Sequence, residues 1–211
     1  MRRHLAALGG TVAIAALLFA ASPAVAADCP DVDLVPAPDN TGRVENAVLC
    51  LLNQERAAAH VHTVKRAPKL DLSARFHTAS MVTKHFLSHE WPGHPSLLAR
   101  VRGFGYFNGA RGGIYAENIG AGPSYYGTAA AMVASWMTST DHRANILYGA
   151  FRDIGISAIG APRDRAFFAD FPSTVFTTDF ATRYERRRCV KPRRTMPRSG
   201  SATPHQGYCR R

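Results

Sequence analysis

Three short segments of this sequence concentrate side chains that can act as acids, bases, nucleophiles or metal ligands. They are residues 86–89, 116–120 and 136–147. The third segment places Ser139 three residues before His142, and Glu117 of the second adds a carboxylate, so the residue types of a nucleophilic triad are present. No Gly-x-Ser-x-Gly pattern surrounds Ser139. We therefore do not expect a serine hydrolase.

Apolar residues at helical spacing predict the helices that would position these segments. The first stripe follows positions i, i+4, i+7 and i+8 and consists of Val44, Val48, Leu51 and Leu52. Asn40 or Thr41 is available to cap this helix. Further helices are predicted after Pro68, after Ser96 as an N-cap, and from about 128 to 137.

The later part of the chain changes to the period of β-strands. Residues 114–121 and 175–181 are rich in strand formers, and Ile154, Ile156 and Ala158 alternate with small residues. The glycine-rich stretch 103–113 is predicted to be a loop. Helices, one strand, another helix and then closing strands indicate an α+β domain and not a parallel α/β sheet.

Further motifs accompany the three segments. They are residues 51–56, 77–81, 151–156 and 177–180. Taken together, these motifs resemble the CAP superfamily, the cysteine-rich secretory, antigen five and pathogenesis-related proteins with an SCP domain, in its bacterial secreted form. The resemblance covers about residues 44–182. It implies a single-domain, three-layer α-β-α sandwich with a cleft lined by two histidines and two acidic residues.

The resemblance also implies which residues line that cleft. His89 is similar to the first family histidine, Glu117 to the first glutamate and His142 to the second histidine. Ser139 occupies the position of the remaining acid, which removes one carboxylate. Asp141 stands where a glycine is usual and restores some negative charge.

Two interpretations of this cleft remain open. Two imidazoles and one carboxylate, His89, His142 and Glu117, are ligands that a divalent metal such as zinc accepts. No His-Glu-x-x-His array arranges them in advance. The alternative is a polar network in which Glu117 accepts hydrogen bonds from both histidines. In either case the carboxylate is predicted to raise the pKa of both imidazoles.

Several polar residues near the cleft are assigned structural roles. His77 shares an apolar helical face with neighbouring residues, which predicts a buried, hydrogen-bonded packing histidine. Asn118 is expected to fix its loop, and Arg143 and Asn145 to brace the turn around His142. The remaining mid-chain histidines are predicted to be solvated or incidental: His60, His62, His85 and His94.

The N-terminus predicts export. Residues 1–27 combine Arg2 and Arg3 with an apolar run and small residues that place cleavage after Ala26 or Ala27. No later segment is apolar enough to span a bilayer. We expect a secreted protein, extracellular or associated with the cell envelope, without a transmembrane anchor once the signal is removed.

The four cysteines of the mature chain favour two disulfides in an oxidising compartment. Closeness in sequence favours Cys29 with Cys50, which ties down an irregular lead-in at 28–43. It likewise favours Cys189 with Cys209 in the C-terminal tail. The crossed pairings remain open.

The formal net charge of +11 is concentrated in the tail. Residues 28–182 hold 14 basic and 14 acidic residues, whereas residues 183–211 hold 10 basic residues and one glutamate. Such a segment attracts polyanions, so envelope polymers or lipid head groups are the expected partners. No nucleic-acid module is present, and we expect a monomer that does not bind nucleic acid.

The predicted function is a secreted binding module of the CAP type, whose cleft holds a divalent metal or an apolar ligand. Lipid or sterol binding by relatives suggests the apolar ligand. The alternative is a metal-dependent hydrolase acting on peptide or envelope material. No catalytic residue is assigned.

Overall fold

A computed structural model describes residues 28–161 and 171–185. The predicted export signal, the predicted Cys189 to Cys209 pair and most of the basic tail lie outside these residues. Within them the helices are α1 (Thr41–Ala58), α2 (Pro68–Lys84), α3 (Leu97–Gly103), α4 (Ala129–Thr138) and α5 (Thr140–Leu147). The strands are β1 (Lys65–Arg66), β2 (Ala110–Pro123), β3 (Asp153–Ala161) and β4 (Ser173–Glu185).

The predicted cap of α3 is confirmed, since Ser96 Oγ accepts a hydrogen bond from the backbone N–H of Ala99 at 3.3 Å. Thr128 Oγ1, which was not predicted as a cap, accepts one from the N–H of Ala131 at 3.2 Å and starts α4. Asn40 precedes α1 but does not cap it with its side chain, because Asn40 Oδ1 accepts the N–H of Ala37 instead. Pro68 occupies the first turn of α2, where its missing N–H has no intrahelical partner to lose.

Two parts of the secondary structure differ from the prediction. β2 begins at Ala110, so the end of the predicted loop is a strand paired with β4. Gly113 is needed there for close packing, since a Cβ atom would lie 2.4 Å from the Thr182 carbonyl oxygen. The predicted turn around His142 is the helix α5. It escaped prediction because Ile146 is its only buried residue, which leaves no apolar periodicity.

The strands form one sheet in the order β1-β3-β4-β2. β1 runs parallel to β3, while β4 is antiparallel to both β3 and β2. Helices cover both faces, and successive residues of a strand point to opposite faces. The α1/α4/α5 face packs on a mainly apolar set, in which the buried Thr178 is the polar member: Ile154, Ile156, Ala158, Phe176, Thr178 and Phe180. The three-layer α+β architecture is confirmed.

The α2/α3 face approaches the sheet just as closely. α2 packs directly on β3, where a Cβ atom on Gly155 would lie 2.1 Å from the main chain of Leu70. Val175 and Ala181 of β4 contribute apolar contacts here. Between them this face carries Thr177 and Asp179, so its centre is polar.

The lead-in is fastened to α1. Cys29 and Cys50 form a disulfide with Cα atoms 5.6 Å apart, which confirms this pairing. Arg43 of α1 forms a bidentate ion pair with Asp31.

Arg56, near the end of α1, holds the region around α5 in place. Its guanidinium is fully buried and donates to the main-chain carbonyls of His62, Ile146, Tyr148 and Phe151. Burial lowers the pKa of Arg56, and the nearby charge of Arg152 lowers it further. The five-donor fork of arginine suits this position, because it reaches several carbonyls at once.

Candidate functional site

Glu117 lies at the centre of the polar half of the sheet. It is in β2, on the face towards α2 and α3, and its side chain is 2% exposed. Directly opposite in the antiparallel pair is Asp179 of β4, which is fully buried. Two acidic side chains therefore face the same helices from adjacent strands.

Three basic side chains converge on the Glu117 carboxylate. The half-exposed His89, in the loop after α2, has its Nδ1 at 2.8 Å from Oε1. Arg100 of α3 donates to Oε2 and also to the Pro95 carbonyl at 3.0 Å. His77 of α2 has its Nε2 at 3.7 Å from Oε1. The predicted contact between His89 and Glu117 is present.

The pKa values of the two carboxyl groups are shifted in opposite directions. Burial alone would raise the pKa of Glu117, but the hydrogen bond from His89 and the charge of Arg100 outweigh it, so this pKa is lowered. Burial and then the charge of Glu117 hold the pKa of Asp179 well above its ordinary value. The surroundings of the pair therefore favour the ionised form of Glu117 and the protonated form of Asp179.

His77 is buried, as predicted, but neither ring nitrogen has a hydrogen-bond partner within the described part of the chain. Burial lowers its pKa to about 4, so the ring is neutral at neutral pH. The centroid of the His94 ring lies 5.1 Å from that of His77, and Phe86 contacts both rings. The prediction that His94 is incidental was wrong, because His94 completes this aromatic cluster.

His142 lies on α5, away from the Glu117 carboxylate. Its main-chain carbonyl accepts a hydrogen bond from Asn118 Nδ2 at 3.0 Å, and Asn145 Nδ2 bonds the Asn118 Oδ1 at 2.9 Å. These amides fix α5 to β2, so the bracing roles predicted for Asn118 and Asn145 are confirmed. Burial lowers the pKa of His142, and the charge of His89 lowers it further. The predicted rise of this pKa was wrong, because burial and the charge of His89 outweigh the opposing charge of Asp141.

Ser139 is the single residue between α4 and α5. Its carbonyl accepts the N–H of Arg143 as the first bond of α5. Among the described residues, no hydrogen bond joins its hydroxyl to Glu117 or to either cleft histidine. Of the four predicted cleft residues, only His89 and Glu117 are directly bonded to each other.

A groove of ≈ 520 Å³ opens beside His142. We call it the apolar groove. Its lining residues are Leu87, Ile119, Gly120, Ala121, Gly122, Pro123, Tyr126, Ala131, Met132, Ser135, Trp136 and His142. His142 is the only one of these with an ionisable side chain near neutral pH, and Tyr126 is 68% exposed. The groove can accept an apolar chain with a polar group at the His142 end.

The predicted metal ligands do not form a set in this arrangement. Within residues 28–161 and 171–185, no group of three or more His, Cys, Asp or Glu side chains is placed to hold a metal ion. Both Glu117 oxygens have partners, His89 and Arg100, and His142 is not among the groups that contact Glu117. The residues do not fit a zinc site without rearrangement, and zinc binding stays a prediction.

Arg100 and Asp179 were missed from the sequence, although each left a signal. Arg100 falls on the apolar stripe of α3 beside Val101, where a charged residue needs a buried partner. Asp179 interrupts a strand whose other residues are all buried from Ser173 to Ala181. A charged residue at an apolar position of a buried element is the feature that identifies both.

Comparisons with known proteins agree with this geometry. Residues 49–180 match the model of the family described as CAP, cysteine-rich secretory protein family. The uncharacterised protein YkwD of Bacillus subtilis (strain 168) is 30% identical over 123 residues, which is 58% of this chain and 45% of that protein. The chain thus spans less than half the length of this curated relative.

Two solved structures share the fold. One is an extracellular protein containing a SCP domain from Bacillus anthracis, with a TM-score of 0.52 and 21% identity, covering 69% of this chain and 43% of that chain. The other is an outer surface protein of Borrelia burgdorferi, with a TM-score of 0.52 and 14% identity, covering 64% of this chain and 90% of that chain. No helix in the described ranges is long and apolar enough to cross a membrane. By its motifs, its three-layer fold and the match over residues 49–180, the chain belongs to the CAP, cysteine-rich secretory protein, family.

Proposed function

We propose that the mature protein is an exported CAP-type binding module that takes an apolar ligand in the apolar groove. The groove beside His142 carries this proposal. Its volume of ≈ 520 Å³ is within the range of small-molecule sites, which combine apolar walls with a few polar groups. His142 is held by Asn118 and Asn145 and stays neutral near pH 7, so it can donate or accept a hydrogen bond at a polar ligand end.

Export is part of the same proposal. The features that support it are the signal-like residues 1–27 and the Cys29 to Cys50 disulfide. The two fold relatives, an extracellular protein and an outer surface protein, agree with export.

Binding is favoured over metal-dependent hydrolysis by the state of Glu117. A general base must reach a water or a substrate, but this carboxylate is buried and bonded to Arg100 and His89. We therefore assign Glu117 to positioning His89 and the neighbouring loops. The hydrolase remains as an outcome of the test.

The test uses Trp136, which lines the groove, as a reporter of a long-chain fatty acid. The chain has two tryptophans, so Trp91→Phe leaves Trp136 as the only one. In this background, Ala131→Phe fills the groove, while Ala134→Phe adds the same bulk at an exposed site on α4 that does not line it. We expect fatty acid to change Trp136 fluorescence, and Ala131→Phe to weaken binding about tenfold or more. Equal affinities for the two variants would overturn the proposal.

The metal alternative is tested by calorimetric titration of zinc into the wild type and into a His89→Ala, His142→Ala variant, with a screen for peptide hydrolysis. The binding proposal predicts no zinc-dependent turnover. Zinc heat and hydrolysis that are both lost in the double variant would favour the hydrolase.

A further inference from the structure

A second groove lies at the other side of the fold, where β1, the start of α2 and the end of β4 meet. We call it the basic groove. Its volume is ≈ 580 Å³, and five basic and two acidic side chains line it: Lys65, Arg66, Lys69, Arg152, Arg183, Asp153 and Glu185. It shares no lining residue with the apolar groove, so a ligand of the basic groove would be independent of the proposed function.

The two acidic groups of the basic groove differ in their partners. Asp153 Oδ2 accepts the hydroxyl of the buried Tyr106 at 2.6 Å, which orients the carboxylate but leaves its negative charge in the groove. Glu185 pairs with Arg183 at 2.7 Å. Arg66 is likewise neutralised, by carboxylates outside the groove.

Three exposed cations are left without an acidic partner among the described residues: Lys65, Lys69 and Arg152. Lys69 Nζ donates to the Gly105 carbonyl at 3.0 Å. Arg152 donates to the carbonyls of Gly149 and Phe151, at 2.6 and 2.9 Å. Carbonyl oxygens orient these groups but carry no net charge to neutralise them. Arg152 also lies near the buried cation Arg56, so an anion beside Arg152 would relieve a repulsion between like charges.

The last described residues of β4 belong to the basic groove. Arg183 and Glu185 line the groove, and the sequence continues from Glu185 into Arg186, Arg187 and Arg188. Of the groove cations, only Arg183 is close to these arginines in sequence. Lys65, Lys69 and Arg152 line one groove of ≈ 580 Å³, so a ligand with several negative charges in a row suits the groove better than a single small anion.

We propose that the basic groove is a binding site for a linear polymer of phosphate groups, a polyphosphate or phosphodiester chain of the envelope. Lysine and arginine are the usual partners of phosphate oxygens, lysine as a point charge and arginine as a fork. Single-stranded nucleic acids need exposed aromatic rings on which bases stack, and the aromatic ring that lines this groove, Tyr106, is 4% exposed. A phosphate backbone without bases fits these residues.

The test measures binding of inorganic polyphosphate to the mature full-length chain, residues 28–211, over a series of salt concentrations. The groove variant is Lys65→Ala, Lys69→Ala, Arg152→Ala. The matched control, Arg75→Ala, Lys84→Ala, Arg102→Ala, removes the same charge from exposed positions on α2 and α3. We expect the groove variant to bind about tenfold or more weakly with a shallower salt dependence, and the control to change less than about twofold. Equal weakening in both, or no change in either, would overturn the proposal.

Two further measurements keep the result unambiguous. The double variant Lys65→Ala, Lys69→Ala retains the carbonyl contacts of Arg152. If it binds polyphosphate more weakly and its circular dichroism spectrum is unchanged, the site is supported even where the triple variant unfolds. Vesicles of anionic phospholipid and an RNA oligomer are tested beside polyphosphate. Groove-dependent binding of either one without binding of polyphosphate would contradict the proposal.

Discussion

The two faces of the central sheet are built on opposite principles, although the same strands supply both. On β4, Phe176 and Phe180 point into the apolar layer under α1, α4 and α5. Thr177 and Asp179 alternate with them and point towards α2 and α3, where Thr177 bonds Thr78 and Asp179 faces Glu117. One strand thus carries a hydrophobic core on one side and a charged network on the other.

The two faces contribute differently to the stability of the fold. Each large apolar side chain buried on the first face stabilises the fold by about 1.5–3 kcal/mol. On the second face, the attraction between Arg100 and Glu117 is offset by the desolvation of both, so a buried ion pair is a weak source of stability. Since the charged network contributes little to stability, its simplest role is to position the residues of the candidate site.

The largest effects should come from removing one buried partner on each face. Arg100→Met leaves Glu117 buried beside Asp179 without its cation, and we expect a loss of about 3–5 kcal/mol of unfolding free energy at pH 7. Phe180→Ala on the apolar face should cost a similar amount, about 3–5 kcal/mol. Urea unfolding at pH 7 and pH 4 distinguishes them, because protonation of Glu117 relieves only the Arg100→Met defect. A pH-independent Arg100→Met loss would contradict the contrast between the faces.

A smaller effect is expected from acid acting on His77. Its pKa is about 4 in the folded protein and near 6.5 when unfolded, so only the unfolded chain binds a proton between these values. Stability contributed by neutral His77 is therefore complete above about pH 6.5 and is lost as the pH falls towards 4, by up to about 3 kcal/mol. His77→Gln should flatten the stability curve in this window. Curves for wild type and variant that stay parallel down to pH 4 would argue against a buried neutral His77.

Near pH 4, the smallest change in unfolding free energy is expected for Asp179→Asn, which keeps the shape but cannot ionise. The raised pKa of Asp179 means that the folded protein retains a proton that the unfolded chain loses, so wild-type stability falls as the pH rises above about 4. Near pH 4 the substitution should change the unfolding free energy by about 1 kcal/mol or less. Above that pH the variant should gain on the wild type. Chemical denaturation from pH 4 to 8 checks this, and a constant difference would show that Asp179 is ionised.

Much of the fold was predictable because it depends on local chemistry. Ser96 and Thr128 start their helices by satisfying nearby N–H groups, and the stripe from Val44 to Leu52 marks a helix whatever surrounds it. The helix α5 was not predictable in this way. It is held by long-range bonds, from Asn118 to the His142 carbonyl and from Arg56 to the Ile146 carbonyl.

The candidate site likewise has a part that was predictable from the sequence and a part that was not. His89 and Glu117 were identified from short motifs, and they are bonded. The partners that set their charge states, Arg100 and Asp179, come from distant segments and meet Glu117 only through strand pairing and the packing of α3. The pKa of His142 was predicted in the wrong direction because burial and neighbouring charges are properties of the assembled molecule.

By itself the sequence determined the family, the α+β class, the Cys29 to Cys50 pairing it favoured and the residues from which the cleft is built. Each of these depends on residue type and spacing along the chain. Only the tertiary structure decided that Glu117 is neutralised by Arg100, that His142 belongs to the apolar groove, and that Lys65, Lys69 and Arg152 form one cationic surface. The physical reason is that electrostatic and desolvation energies depend on distances in space, which pairing of strands far apart in sequence creates.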